Sequence, residues 1–244
     1  MTRAVEAVPE TVVRLRVNGM VIATWTCSPG ELRPLAVGRL LALGFLDGAG
    51  DLDGIRVAEA GAIAMIDAAV RLERAAAGLQ EREHRSRSGC GLRHFLDCDP
   101  SGLLQRGAER RRPEAPGADA FTRLFRALYE RSPSRETTGG HHTAALSDGE
   151  TLVNAFEEVG RHNAVDRAIG RALLDDVVPT GLGLLTTARI SGEIAEHAAR
   201  AGLAWIASRS VPTTLAVEIA GAAGIPVIAR AAGREARVFA PPRR

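Results

Sequence analysis

The stretch Leu184-Leu-Thr-Thr187-Ala-Arg189-Ile-Ser191-Gly-Glu193 decides how this chain folds. Its apolar start, 184–187, predicts a strand. Ser191 is a helix N-cap with Glu193 in the first turn, and Gly202 is a good left-handed terminus for that helix. Working outward, the same passage recurs on both sides. Upstream, a strand over 152–156 leads through Glu158-Val-Gly-Arg161-His162-Asn163 into a helix capped by 163–166 and running to about Leu174. Downstream, a strand over 204–207 leads through Ser208-Arg209-Ser210-Val-Pro212-Thr213 into a helix that ends at Gly224, and 226–229 is strand again. Strand and helix alternating in this way predict an α/β protein with a mostly parallel sheet. In such a sheet, loops leaving strands for helices gather on one edge, beside the helix N-termini. Unpaired N–H groups and the positive end of the helix dipole attract anions there. Arg161, Arg189 and Arg209 each sit in one of these junctions, so the three together form a candidate site for a phosphorylated or polyanionic ligand. Taken singly, each is equally well explained as a solvated, salt-bridged arginine.

Composition removes several classes of function. The 244 residues suffice for one large domain or two small ones with an ample core. The expected division is 1–118, a β-hairpin and helix region with a reactive-cysteine loop, and 119–244, the α/β binding domain. The net charge of +2 implies no stripe for nucleic acid. Lysine is absent, which excludes a Schiff-base lysine and the phosphate-binding lysines of kinases and P-loop proteins. No apolar stretch is long enough to span a bilayer, and no signal peptide is expected. Cys27, Cys90 and Cys98 in such a chain point to free thiols in a reducing cytoplasm.

The N-terminal third reads as a separate layer. β-rich runs at 12–17 and 20–26 flank Asn18-Gly19, a strong hairpin signal. Ser28-Pro29-Gly30-Glu31 reads as a capping box opening a helix with Leu32, Leu35, Ala36, Leu40, Leu43 and Leu46 on its apolar face. Short β-like runs follow at 55–57 and 63–66. The Arg-rich stretch 79–88 and the Gly-, Pro- and Arg-rich stretch 98–118 read as loops. Phe121, Leu124, Phe125 and Leu128 then recur at helical spacing behind an Asp119 cap, and are core by default.

Cys90 is the most reactive thiol in prospect. Glycines flank it, and Arg82, Arg85, Arg87 and Arg93 lie close in sequence, so the sulfur is accessible and the thiolate favoured. Cys27 ends a hydrophobic strand and reads as packing. Histidines cluster at Gly139-Gly140-His141-His142 and Arg161-His162-Asn163. A metal site could be drawn from Glu158, His162 and His141 or His142, but no H-E-x-x-H spacing or cysteine pair supports it, and neither element of the zinc deaminase signature is present. No metal is assigned. The histidines are expected to hydrogen-bond an anionic ligand, or to pair with Asp166 or with Glu157 and Glu158.

Taken in order, Ser88-Gly-Cys90-Gly91, Thr138-Gly-Gly-His141, Glu158-Val-Gly-Arg-His-Asn163-Ala-Val-Asp166, Arg189-Ile-Ser191-Gly-Glu193 and Val211-Pro212-Thr213 resemble the formate dehydrogenase accessory sulfurtransferase family, FdhD/NarQ. The Asn-Gly hairpin, Cys27-Ser-Pro and Leu35-Ala36-Val37-Gly38 match as well, so the resemblance covers 12–239. It implies a cytidine-deaminase-like α/β fold without the zinc, with helices on both faces of the sheet, in a cytoplasmic homodimer. It also implies a sulfur carrier that receives persulfide sulfur from a cysteine desulfurase. The sulfur goes to the molybdenum or tungsten of a bis(molybdopterin guanine dinucleotide) cofactor, which then passes to formate dehydrogenase.

The family's persulfide-bearing cysteine falls on Cys90. Its cofactor-contacting segment falls on Arg230, Ala231, Ala232, Gly233, Arg234 and Glu235. Together with the anion site, the expected cofactor-binding residues are these six and His141, Arg161, His162, Asn163, Arg189, Ser191, Arg209 and Thr213, with backbone amides at Asn163, Ser191 and Thr213 assisting. The chain departs from the family where a second cysteine is replaced by Arg93, where Thr187-Ala188-Arg189 replaces Ser-Gly-Arg, and where Phe156-Glu157-Glu158 replaces Arg-Glu-Asp. A paralogue that binds the cofactor or a guanine nucleotide as a chaperone or regulator, without moving sulfur, stays open as the alternative.

Overall fold

The computed structural model describes residues 7–87, 113–233 and 236–240. Thr11–Val17 (β1) and Met20–Cys27 (β2) pair as a hairpin, turned by Asn18 and Gly19 at φ of 48° and 86°, which this dipeptide tolerates better than any other. Leu32–Ala42 (α1) follows, then a second hairpin of Leu52–Ala60 (β3) and Ile63–Val70 (β4). Parallel pairing of β1 with β4 completes a four-stranded sheet in the order β2-β1-β4-β3. Its period-2 pattern turns Val13, Leu15, Ile66 and Ala68 inward onto Leu35, Ala36 and Leu40 of α1.

Leu72–Arg87 (α2) replaces the loop expected over 79–88. Polar composition misleads there: Ala, Leu, Gln, Glu and Arg are all strong helix formers, whatever their charge. Ala118–Glu130 (α3) and Pro133–Thr138 (α4) lead into the second sheet. Phe121, Leu124, Phe125 and Leu128 are buried as their spacing predicts, but the N-cap is Gly117, and Asp119 lies in the first turn of the helix.

The second sheet contains His142–Ser147 (β5), Leu152–Glu158 (β6), Gly183–Thr186 (β7), Trp205–Ser208 (β8), Val227–Ala229 (β9) and Arg237–Ala240 (β10), in the order β10-β9-β8-β7-β5-β6. It is mixed rather than mostly parallel. Only the pairs β7-β8 and β8-β9 are parallel, because β5 runs against both its neighbours and β10 returns against β9. Helices cover both faces. Arg161–Leu174 (α5), Gly192–Arg200 (α6) and Thr214–Ala222 (α7) pack on one, and α3 packs on the other, where Phe121 meets Trp205 edge to face at 5.4 Å.

The two sheets share one core through α1 and α5. These helices touch backbone to backbone: a Cβ on Gly38 would lie 1.9 Å from the Asp166 carbonyl oxygen, and one on Gly170 would lie 1.9 Å from that of Pro34. A buried ion pair secures the same seam. Glu158 and Arg167 face each other at 2.8 Å, and Arg167 also donates to the Gly30 and Ser28 carbonyls at 2.5 Å. Glu158 accepts from the Ser28 amide at 2.6 Å, and Ser28 Oγ accepts from the Val159 amide at 3.1 Å. The Cys27–Gly30 turn is therefore docked onto the start of α5. This overrides the capping box: α1 begins after Glu31, which sits in the left-handed region without a side-chain cap, while Ser28 serves the seam.

Candidate functional site

β6, β7, β8 and β9 all point the same way, so their carboxyl ends share one edge of the second sheet. That edge carries Arg161 at the first position of α5, Arg189 after β7, Arg209 after β8 and Arg230 after β9. Because β5 is antiparallel to its neighbours, its beginning reaches the same edge and brings His141 and His142 with it. Adjacent strands lie about 4.8 Å apart, so this row of groups spreads over roughly 20 Å. The junctions after β7 and β8 are tied together by a parallel bridge between Ile190 and Pro212, with Ile190 N–H donating to Val211 O at 3.2 Å.

The helix starts are well made. Ser191 accepts from the Ile194 amide, Thr213 accepts from the Ala216 amide, and α6 and α7 begin at the next residue. α5 begins earlier than expected, behind Gly160, which puts Arg161, His162 and Asn163 inside its first turn. Among the described residues, Arg161, Arg189 and Arg209 form no ion pair. Arg161 Nε is buried without a hydrogen-bond partner, and the Arg209 guanidinium lies 5.3 Å from the Tyr129 ring centroid, stacked over it. The three guanidinium groups thus lie beside three helix starts without a carboxylate partner among the described residues, an arrangement whose electrostatics favour an anion.

Behind this row lies a buried network. Asp166 is fully buried in α5, with Arg39 Nε at 2.9 Å and His197 Nδ1 at 2.8 Å. Burial alone would push the Asp166 carboxyl up, but Arg39 and His197 together hold it below its ordinary value. Arg39 also donates to Asn163 Oδ1 at 3.0 Å and stacks on Trp25 at 5.3 Å, while Asn163 Nδ2 donates to the Thr26 carbonyl at 2.9 Å. The Asn163 side chain thus belongs to the seam.

His162 Nε2 lies 2.9 Å from Ser191 Oγ and 3.0 Å from Glu193 Oε2. Its carboxylate partner is therefore Glu193, in place of the expected Asp166, Glu157 or Glu158. The hydrogen bond from His162 holds the Glu193 carboxyl down at about 2. Both contacts fall on the same ring nitrogen.

The remaining expected residues distribute as follows. His141 Nδ1 contacts Thr138 Oγ1 at 3.1 Å. The Thr213 amide is engaged with the Ile190 carbonyl at 2.9 Å. Arg230, at a φ of 51°, opens a turn closed by Gly233 N–H donating to Arg230 O, and Ala231 and Ala232 pack beside the α3 core. Arg234, Glu235, Cys90, Arg93 and Cys98 lie outside the described residues. Cys27 is fully buried; burial and the nearby Glu158 push its thiol up to about 11, so at neutral pH it is an inert thiol. Among the described residues no three His, Cys, Asp or Glu side chains converge to hold a metal, and Glu158 is committed to Arg167.

Sequence reasoning missed Arg39, His197 and Tyr129. Arg39 was detectable, because a charge amid the apolar residues of α1 must be partnered once buried. His197, four residues after Glu193, shares its helix face with the His162 partner. Tyr129 left no signal beyond helical position.

Residues 8–244 match the FdhD/NarQ family model. The chain belongs to the FdhD/NarQ family. Relatives agree: the sulfur carrier protein FdhD of Burkholderia mallei is 35% identical over 227 residues, covering 88% of this chain and 81% of that one. The protein of the same name from Geobacillus kaustophilus is 31% identical over 233 residues, covering 92% and 84%. The fold is similar to that of a candidate formate dehydrogenase accessory protein from Desulfotalea psychrophila, with a TM-score of 0.72 at 23% identity over 96% of this chain and 88% of the other. No helix among the described residues is long and apolar enough to cross a membrane.

Proposed function

We propose that this FdhD/NarQ protein is a cytoplasmic sulfur carrier for formate dehydrogenase. It accepts persulfide sulfur on Cys90 from a cysteine desulfurase and passes it to the molybdenum or tungsten of a bis(molybdopterin guanine dinucleotide) cofactor, held as substrate. The observation that supports the reading best is the sheet edge, where Arg189 and Arg209 are exposed, Arg161 is half-buried, and none of the three forms an ion pair among the described residues. A ligand with two pyrophosphates matches that charge and the roughly 20 Å length of the row. His141, His162, Asn163, Ser191, Thr213 and residues 230–233 border it, and Arg234 and Glu235 are proposed as contacts of the same ligand. The cytidine-deaminase-like architecture, the homodimer and the 1–118/119–244 division belong to the same proposal.

In the loading step the Cys90 thiolate attacks the outer sulfur of the desulfurase persulfide. A new S–S bond forms at Cys90, the old one breaks, and the desulfurase leaves as thiolate, with no external oxidant required. Arginines close in sequence favour that thiolate. Incubation with a cysteine desulfurase and cysteine should add about 32 Da, one sulfur, and Cys90→Ala should abolish the gain while GDP binding persists. A Cys90→Ala protein that still gains the mass rules out this assignment. Arg93, in place of a second cysteine, favours one alternative: a chaperone or regulator that binds the cofactor or a guanine nucleotide without moving sulfur. That alternative predicts GDP binding with no mass gain in the unmodified protein.

A further inference from the structure

Arg209 forms one wall of a cleft of about 530 Å³ between the sheet edge and the C-terminal end of α3. The cleft is also lined by Phe125, Arg126, Tyr129, Glu130 and Ala232. Phe125 is a buried floor, and the Arg209 guanidinium lies over the Tyr129 ring at 5.3 Å. Guanidinium planes and aromatic rings are the surfaces on which nucleobases stack, so a flat heterocycle can extend the Tyr129–Arg209 pair. The volume falls within the range of small-molecule sites. Glu130 is the feature that the phosphate-binding row does not need. It is exposed, it makes no ion pair or hydrogen bond among the described residues, and it remains unpaired although Arg126 stands one helical turn away. A carboxylate at the mouth of a stacking cleft offers two acceptors side by side and no donor.

We infer that this cleft takes the base of the bound nucleotide and that Glu130 selects guanine over adenine there. The inference rests on the nucleotide reading proposed above and adds to it a residue that reads the base. Guanine presents N1–H and the N2 amino group together on one edge, and both can donate to the two Glu130 oxygens. Adenine presents an acceptor, N1, beside its N6 amino group, so one carboxylate oxygen faces a lone pair. A site built around paired acceptors discriminates chiefly by leaving the wrong ligand with an unmet or repelled partner. Because Glu130 is solvent-exposed, the expected preference for GDP over ADP is about tenfold to a hundredfold, the value of one charge-assisted pair.

The test is calorimetric titration of the full chain with GDP and with ADP, repeated for Glu130→Gln and Tyr129→Leu. Glu130→Gln should lower GDP affinity, leave ADP binding unchanged or slightly tighter, and so collapse the ratio. Tyr129→Leu should weaken both nucleotides by a similar factor, because stacking does not read the edge. If the unmodified protein prefers GDP and Glu130→Gln keeps the full preference, Glu130 does not read the base, while the nucleotide site itself stands. If the unmodified protein binds both equally, the selection is refuted with the site again intact. If it binds neither, the nucleotide reading fails first and carries the inference down with it.

Discussion

Two sets of arginines in this molecule have opposite surroundings. At the seam between the sheets, Arg167 and Arg39 are held by the fully buried carboxylates Glu158 and Asp166. At the sheet edge, Arg161, Arg189 and Arg209 have no carboxylate partner among the described residues. Seam charges cannot stay unpaired, since removing a charge from water costs several kcal/mol unless a counter-charge and hydrogen bonds compensate. Arg189 and Arg209 are exposed and Arg161 is half-buried, so leaving them unpaired costs far less than at the seam, and an incoming anion meets cations with no carboxylate partner among the described residues. One residue type thus does structural work in one place and, under the proposed function, meets a ligand in the other.

The largest expected effect breaks the seam. Glu158→Ala leaves Arg167 buried with two carbonyl acceptors and no counter-charge, which should cost about 3–5 kcal/mol of unfolding free energy in urea titration. A loss below about 1 kcal/mol would show that the Ser28 turn and the Gly38–Gly170 helix contact hold the seam without the ion pair. Next in size comes the edge. Arg161→Ala and Arg189→Ala should each weaken GDP binding by roughly 1.5–3 kcal/mol, about ten- to a hundredfold, and leave the urea midpoint nearly unchanged. If an edge variant unfolds as easily as the seam variant, or binds GDP as tightly as the parent, the division between the two sets collapses.

Much of the edge was legible in sequence, because each junction carries its own signals. Ser191 and Thr213 announce helix starts, and Gly202 and Gly224 announce helix ends, both at positive φ. Local chemistry of that kind survives folding. The seam was hidden because its pairs are remote in sequence: Ser28 meets Glu158 and Arg39 meets Asp166 only after α1 crosses α5. The Ser28 capping box failed for that reason, since a local cap lost to a buried carboxylate brought in from afar. The mixed sheet escaped for another. β5 and β6 form a hairpin through Ser147-Asp148-Gly149-Glu150, and nothing in the turn reveals that β7 then pairs with β5 rather than with β6.

The smallest expected effect lies at the border between the two sets, at Glu193. Its carboxylate is half exposed yet lies 3.0 Å from His162 Nε2, and it is held down at about 2 from an ordinary 4.5. A carboxyl held below its unfolded value stabilises the fold fully above the ordinary value and loses that contribution as pH falls toward about 2. Glu193→Gln keeps an acceptor for the imidazole and removes only the charge. Solvent screening limits the difference at neutral pH to about 1 kcal/mol or less. Urea titrations of both proteins between neutral pH and pH 3 should therefore give curves separated by a small constant gap that narrows below about 4.5. A gap of the opposite sign at neutral pH, with Glu193→Gln the more stable protein, would mean the pair opposes folding, and Glu193 would then not share the seam's pattern of compensated charge.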